Sequence, residues 1–189
     1  MARQIRLFFK LEEQRSKFLN NYSHLTPEQL RFKPDPESWN LLQVMRHIVT
    51  AEKQSIILIQ RRIGLNKKLT KTGLGATLRY LIMKIAFVLP IKFKAPKIAE
   101  VREENPDLDL MKEEWETIRS DLKQLLDETD EHVLASTVYK HPRAGLLNMN
   151  QALGFMTNHI NHHLKQVGRI QNHPSFPSSE HPDTLVKGN

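Results

Sequence analysis

His159 and His163 stand four residues apart in the run Met156-Thr157-Asn158-His159-Ile160-Asn161-His162-His163-Leu164. On a helix that spacing puts both rings on one face, one turn above the other, where they can chelate a single ion. Ala152, Met156 and Val167 or Ile170 lie near the same face and turn it toward the core. A buried imidazole pair has to be explained. Each neutral ring has one donor and one acceptor to satisfy, and two protonated rings repel. A divalent metal resolves this by taking one nitrogen from each ring. Taken alone, such a pair also occurs on solvated helix faces. His47 adds to it, because Val44, His47, Ile48, Ala51 and Leu58 form an inward stripe on another helix. A lone inward histidine is ordinarily a hydrogen-bonded core residue. Three of them on two helices that can pack together point to a metal site at His47, His159 and His163. Three neutral ligands leave one to three positions for water, a feature of catalytic zinc-type sites.

Three neighbours compete for roles at that site. His162 is three residues from His159, but its direction lies about 100° from His163, toward an adjacent helix or solvent. Gln166 is one turn beyond and can hydrogen-bond near the site, or serve only as an exposed helix former. Glu52, five residues after His47, either orients a histidine ring or is a solvated charge.

The elements that must position these residues are helical. Ile5, Phe8, Phe9, Leu11, Phe18, Leu19 and Tyr22 recur at three- and four-residue steps and predict a helix over about residues 2–23. Thr26-Pro27 begins a short helical turn, and Pro34 and Pro36 force a loop. Ser38 is expected to cap a second principal helix from Trp39 to about Ile63. Leu74–Leu89 reads as a short helix, followed by an extended connector with Pro90 and Pro96. The stretch 65–105 is thus a basic insertion between the second and third principal helices. Asn105-Pro106-Asp107 opens the third, with Met111, Trp115, Ile118, Leu122, Leu125 and Leu126 as its apolar stripe, ending near Thr129–His132. A loop with His141-Pro142 and Gly145 leads to the last helix, about Asn148–Gln171, capped by Asn148 or Asn150. No strand is expected. Residues 1–172 read as one domain and 173–189 as a loosely ordered tail rich in proline and serine.

Length and composition narrow the function classes. The 189 residues suffice for one domain with a real core. The absence of cysteine removes disulfides, thiolate ligands and cysteine nucleophiles, leaving histidine and carboxylate as metal ligands, and fits a cytoplasmic location. The first ten residues lack the apolar run of a signal peptide. Leu74–Phe93 is the nearest approach to a membrane span, but Arg79, Lys84, Lys92 and Pro90 interrupt it. The net charge of +7 conceals a polarised chain: residues 61–102 carry 11 Lys/Arg against Glu100, and residues 103–135 carry 12 acids against three bases. A basic block can attract phosphate or a membrane surface. The simpler expectation is that the two blocks face one another, within the fold or across a homodimer. The basic block lacks interleaved aromatics, which argues against single-stranded nucleic acid.

The segment Ser38-Trp39-Asn40 through His47-Ile48 to Glu52 resembles the Trp-Ser, His-Leu and Glu signature of the DinB/YfiT-like superfamily. His159-Ile160-Asn161-His162-His163-Leu164-Lys165-Gln166 is similar to that family's closing His-x-x-His-His-x-x-Gln motif. His141-Pro142 with Gly145 resembles the His-Pro-x-x-Gly turn of one branch. The matched segments span about residues 38–171. The resemblance implies an all-α, up-down-down-up four-helix bundle with a metal between its second and fourth helices. It also implies nickel, zinc or a related divalent ion (iron, cobalt or manganese) on three histidines, which carry over to His47, His159 and His163. Characterised relatives include S-transferases and isomerases that use low-molecular-weight thiols such as bacillithiol or mycothiol, and others are classed only as metal-dependent hydrolases. The expected activity is therefore thiol-dependent S-transfer or metal-dependent hydrolysis, with a small electrophile and a thiol as co-substrates. Lys67, Lys68 or Lys94 could attract the thiol's carboxylates. The alternative is a non-catalytic binding or stress-response bundle with a structural metal.

Overall fold

The computed structural model describes residues 2–65, 69–86, 101 and 103–178. These residues form seven helices and one hairpin: α1 Ala2–Tyr22, α2 Pro27–Arg31, α3 Leu41–Gly64, α4 Leu74–Ala86, α5 Leu108–Glu128, α6 Glu131–Ala135, β1 Tyr139–His141, β2 Gly145–Leu147 and α7 Met149–Gln171. Each long helix follows its apolar period: Phe8, Leu11, Phe18 and Tyr22 are buried on α1, and Met111, Trp115, Ile118, Leu122 and Leu126 on α5. No helix among the described residues is long and apolar enough to cross a membrane.

Local chemistry starts each helix. Thr26 and Gln29 exchange side-chain and backbone hydrogen bonds in a capping box, with Pro27 in the first helical turn of α2. For α3 the structure corrects the expected start. Asn40, not Ser38, is the cap: Asn40 Oδ1 accepts from Gln43 N at 2.8 Å and Gln43 Oε1 accepts from Asn40 N at 3.1 Å. Ser38 donates its hydroxyl to Asp35 within the preceding turn, so the helix begins at Leu41 and not at Trp39. Asn148 and Gln151 repeat the same box on α7, which settles the cap there on Asn148 rather than Asn150. Asp107 caps α5 by accepting from the backbone N–H groups of Asp109 and Leu110.

The third principal helix runs to Glu128 with Thr129 as its C-cap, close to the expected end, and the short α6 follows. A further correction concerns the segment before α7. The expected loop is an antiparallel hairpin with Tyr139 opposite Leu147, Lys140 opposite Leu146 and His141 opposite Gly145. Gly145 has a φ of 82°, a left-handed conformation that glycine adopts without steric cost and that lets the chain turn back at once. Strands of three residues are too short to carry a readable alternation.

α1 packs against α5 and α7, and α3 packs against the same two helices. The apolar faces meet in one continuous core around Phe18, Tyr22, Met45, Ile48, Trp115 and Leu122. α4 lies on α7 and the hairpin: Arg79 donates to the Ala144 carbonyl, and Tyr80 sits so close over Gly154 that a side chain there would collide with its hydroxyl. The extended connector after α4, together with Lys67, Lys68, Lys94 and the tail beyond residue 178, lies outside the described residues. Among the described residues the basic and acidic blocks do not pair with one another. The acids at 103–135 instead meet Arg15, Lys33, Arg46 and Lys53.

Candidate metal centre

The inward stripes of α3 and α7 bring His47, His159 and His163 together, each less than a tenth exposed. His47 Nε2 and His163 Nε2 each lie 3.1 Å from His159 Nε2. A ring nitrogen has one in-plane site, either a lone pair or an N–H. At Nε2, His159 can therefore satisfy one of these neighbours by hydrogen bonding but not both at once. A divalent ion satisfies all three. Two nitrogens about 2.0–2.1 Å from one zinc-like ion, at tetrahedral to octahedral angles, stand about 2.9–3.4 Å apart, and the separations here fall in that range. The three ligand nitrogens all lie within 4.8 Å of one another, and the group includes no carboxylate among the described residues.

The surroundings keep His159 and His163 neutral and hold the rings in place. Gln166 Oε1 lies 2.8 Å from His163 Nδ1 and accepts its N–H, which leaves the Nε2 lone pair facing the cluster. Burial, followed by the nearby His47, lowers the His163 pKa to about 3, against a small upward pull from Gln166. Burial also holds His159 well below the usual histidine value, with His163 and His47 adding to the effect. Trp39 covers His47 at a ring separation of 5.0 Å, and Phe155 stacks on His159 at 5.6 Å and 17°.

The competing residues have other positions. His162 is partly exposed and touches the His163 ring from outside the cluster, at 5.2 Å. Glu52 neither orients a histidine nor faces solvent. Its Oε2 accepts from Trp115 Nε1 at 2.8 Å, and its Oε1 accepts from Arg119 Nη2 at 2.9 Å. Five residues of helix rotate it about 140° from His47, toward α5.

His141 was visible in the sequence only as part of a turn motif. Its Nδ1 accepts from the backbone N–H groups of Arg143 at 3.2 Å and Ala144 at 3.0 Å, so the neutral ring carries its proton on Nε2. No described residue hydrogen-bonds that Nε2, although the side chain is only 7% exposed. The ring packs on Phe155 at 4.4 Å, and Phe155 in turn stacks on His159. Burial, reinforced by Arg143, lowers the His141 pKa to about 4.

The class of protein is thus a helical chain whose long helices converge on a buried cluster of three histidines. The chain belongs to the DinB superfamily, whose family model matches residues 10–167, from α1 through most of α7. Comparison with curated proteins and with solved structures gives no significant match.

Proposed function

We propose that the chain holds one divalent metal ion on the Nε2 atoms of His47, His159 and His163. Nickel and zinc are the leading candidates, and iron, cobalt and manganese also suit the donor set. The centre serves a thiol-dependent S-transferase or a related metal-dependent hydrolase. The observation that carries this reading is that His47 Nε2 and His163 Nε2 each lie 3.1 Å from His159 Nε2, a convergence that hydrogen bonding alone does not satisfy. Among the described residues no carboxylate joins the group, which supports open coordination. When bound, the ion lowers the pKa of a water or thiol and stabilises the resulting anion. The chain's own residues do the rest. Gln166 fixes the His163 ring, Trp39 and Phe155 exclude water from two sides, and the His141 Nε2–H offers a fixed, uncharged donor one aromatic ring away.

Residues 1–172 form one domain in this proposal, an up-down-down-up four-helix bundle of α1, α3, α5 and α7. The side-chain pairings support that order. Gln14 meets Thr157 and Asn161, and Asn21 meets Gln171, so α1 and α7 run the same way. Arg46 with Glu114 and Glu52 with Arg119 make α3 and α5 parallel. Arg15 with Glu116 and Glu12 with Arg119 make α1 and α5 antiparallel.

Elemental analysis of the purified full chain beside a His47→Ala variant tests the site. One equivalent of metal in the wild type and its loss in the variant are expected; a metal-free wild type, or a variant that keeps it all, overturns the proposal. Adding a small thiol to the cobalt-loaded protein then tests the thiol reading, which predicts a new sulfur-to-metal absorption band. A loaded protein whose spectrum ignores the thiol removes the transferase assignment and leaves the metal site standing.

A further inference from the structure

Five of the eight large apolar side chains most exposed among the described residues lie on the single helix α4: Leu74 at 91%, Leu78 at 60%, Leu81 at 47%, Ile82 at 57% and Ile85 at 63%. At about 100° per residue they fill one stripe about 100° wide. The opposite side, with Ala76, Tyr80 and Met83, packs on the body of the protein. Arg79 and Lys84 flank the stripe, each about 110° from its centre and on opposite sides. Soluble monomers seldom leave so continuous an apolar surface in water.

The charge around the stripe identifies what covers it. No Asp or Glu occurs between Glu52 and Glu100, and the same interval holds 11 Lys and Arg residues. Apart from Lys53 at its edge, which meets Glu114, the described part of this interval makes no ion pair with the acidic block that follows it. Two copies joined stripe to stripe would bring Arg79 and Lys84 of one chain against those of the other, with no carboxylate in the interval to offset them. The acidic α5 offers little apolar surface in return, since Leu110 is its one large exposed apolar side chain among the described residues. A nucleic acid would match the charge but would leave five aliphatic side chains against phosphate. A membrane bearing anionic lipids matches both features: acyl chains receive the stripe, and headgroup phosphates receive the cations on its two sides. At 13 residues α4 is too short to cross a bilayer but long enough to lie in its interface.

We propose that α4 is a membrane-docking helix that seats the protein on an anionic lipid surface, with Leu74, Leu78, Leu81, Ile82 and Ile85 inserted and Arg79 and Lys84 at headgroup level. The test is co-sedimentation of the full chain with vesicles of phosphatidylcholine alone or with about one-third phosphatidylglycerol. Binding to the anionic vesicles is expected to be at least about tenfold tighter than to the neutral ones. The triple variant Leu78→Ser, Ile82→Ser and Ile85→Ser changes only exposed side chains and is expected to fold, as checked by its melting transition. It should bind the anionic vesicles at least about 100-fold more weakly. Lys84→Gln should weaken binding severalfold and reduce its salt dependence. Wild-type protein that stays in the supernatant with anionic vesicles overturns the proposal. So does vesicle binding that survives the triple substitution, which would make the attraction purely electrostatic. A wild-type dimer that the triple variant converts to a monomer, without vesicle binding by either, also overturns it and assigns the stripe to a second copy.

Discussion

Two buried polar constellations hang from α3, five residues apart, and they are completed in different ways. At Glu52 the partners are opposite in charge and come from the chain itself. Both carboxylate oxygens receive donors from α5, and Glu12 of α1 lies 3.5 Å from the same Arg119. At His47 the partners are identical rings, none of which can be the counter-ion of another. Burial pushes the Glu52 pKa up while Arg119 and Trp115 pull it down, so opposing effects meet in one protein-made network. At His159 and His163 burial and the neighbouring rings all act toward the neutral form. The first arrangement is a structural tie between α3, α5 and α1. The second, in the proposed reading, is a set of ligands for an ion that the chain does not supply. One helix thus presents a satisfied polar group on one side and a receptive one on the other, about 140° of helix rotation away.

Arg119→Met is the strongest way to break the comparison. It strands the Glu52 carboxylate in the core and is expected to cost about 3–5 kcal/mol in a denaturant titration, with metal content per folded molecule unchanged. Loss of metal in the folded fraction would show that the two constellations are one unit. Chelation probes the other side. Stripping the metal should lower wild-type stability by about 4 kcal/mol if free metal had stood at about a thousand times its Kd. His159→Ala should show no response to the chelator. A wild type whose melting transition ignores a strong chelator would place the histidines in the same purely structural category as Glu52.

The two constellations were unequally legible in the sequence. The three histidines could be read because helical periodicity assigns faces: His159 and His163 share one by their spacing, and His47 lies in an apolar stripe. The role of Glu52 could not, because it depends on which residues α5 delivers, and those lie 63 and 67 positions away. The long helices followed from their stripes, but their exact starts rested on local competition. Ser38 and Asn40 are both able caps, and only the bond from Ser38 to Asp35 decides between them. The hairpin was missed for a related reason. Three-residue strands give periodicity nothing to repeat, and with them went the position of His141.

Gln166 sharpens the comparison at smaller magnitude, since it bonds the His163 ring on its outer nitrogen. Gln166→Leu keeps the helix and much of the volume but releases the His163 Nδ1–H. Metal affinity should fall about 10–100-fold, or about 1.4–2.7 kcal/mol, by competition with a chelating dye. The metal-free protein should lose only about 0.5–1.5 kcal/mol, the worth of one hydrogen bond. Unchanged affinity would mean that packing against His47, His159 and His162 already fixes the ring.

His141 allows the finest distinction, because it is buried like the cluster rings while its Nδ1 hydrogen bonds, like those of Glu52, come from the chain itself. Its pKa is about 4 in the fold, against about 6.5 in an unfolded chain. Between those values the unfolded chain binds a proton that the folded ring excludes, so stability rises with pH through this window and is lost as pH falls from about 6.5 toward 4. The slope from this ring is at most about 1.4 kcal/mol per pH unit and vanishes below the folded value, where both states are protonated. His159 and His163 act with the same sign, so the chelated wild type should lose stability steeply on acidification. His141→Asn keeps an acceptor near the Nδ1 position for the Arg143 and Ala144 N–H groups and removes the titration. Urea midpoints from pH 7.5 to 4.5 with chelator present should therefore fall less steeply in the variant, by up to about 1.4 kcal/mol per pH unit. Superimposable curves would show that the hairpin opens enough for this ring to titrate as it does in water. In that case its Nε2–H would not be the fixed neutral donor assigned to it beside the metal.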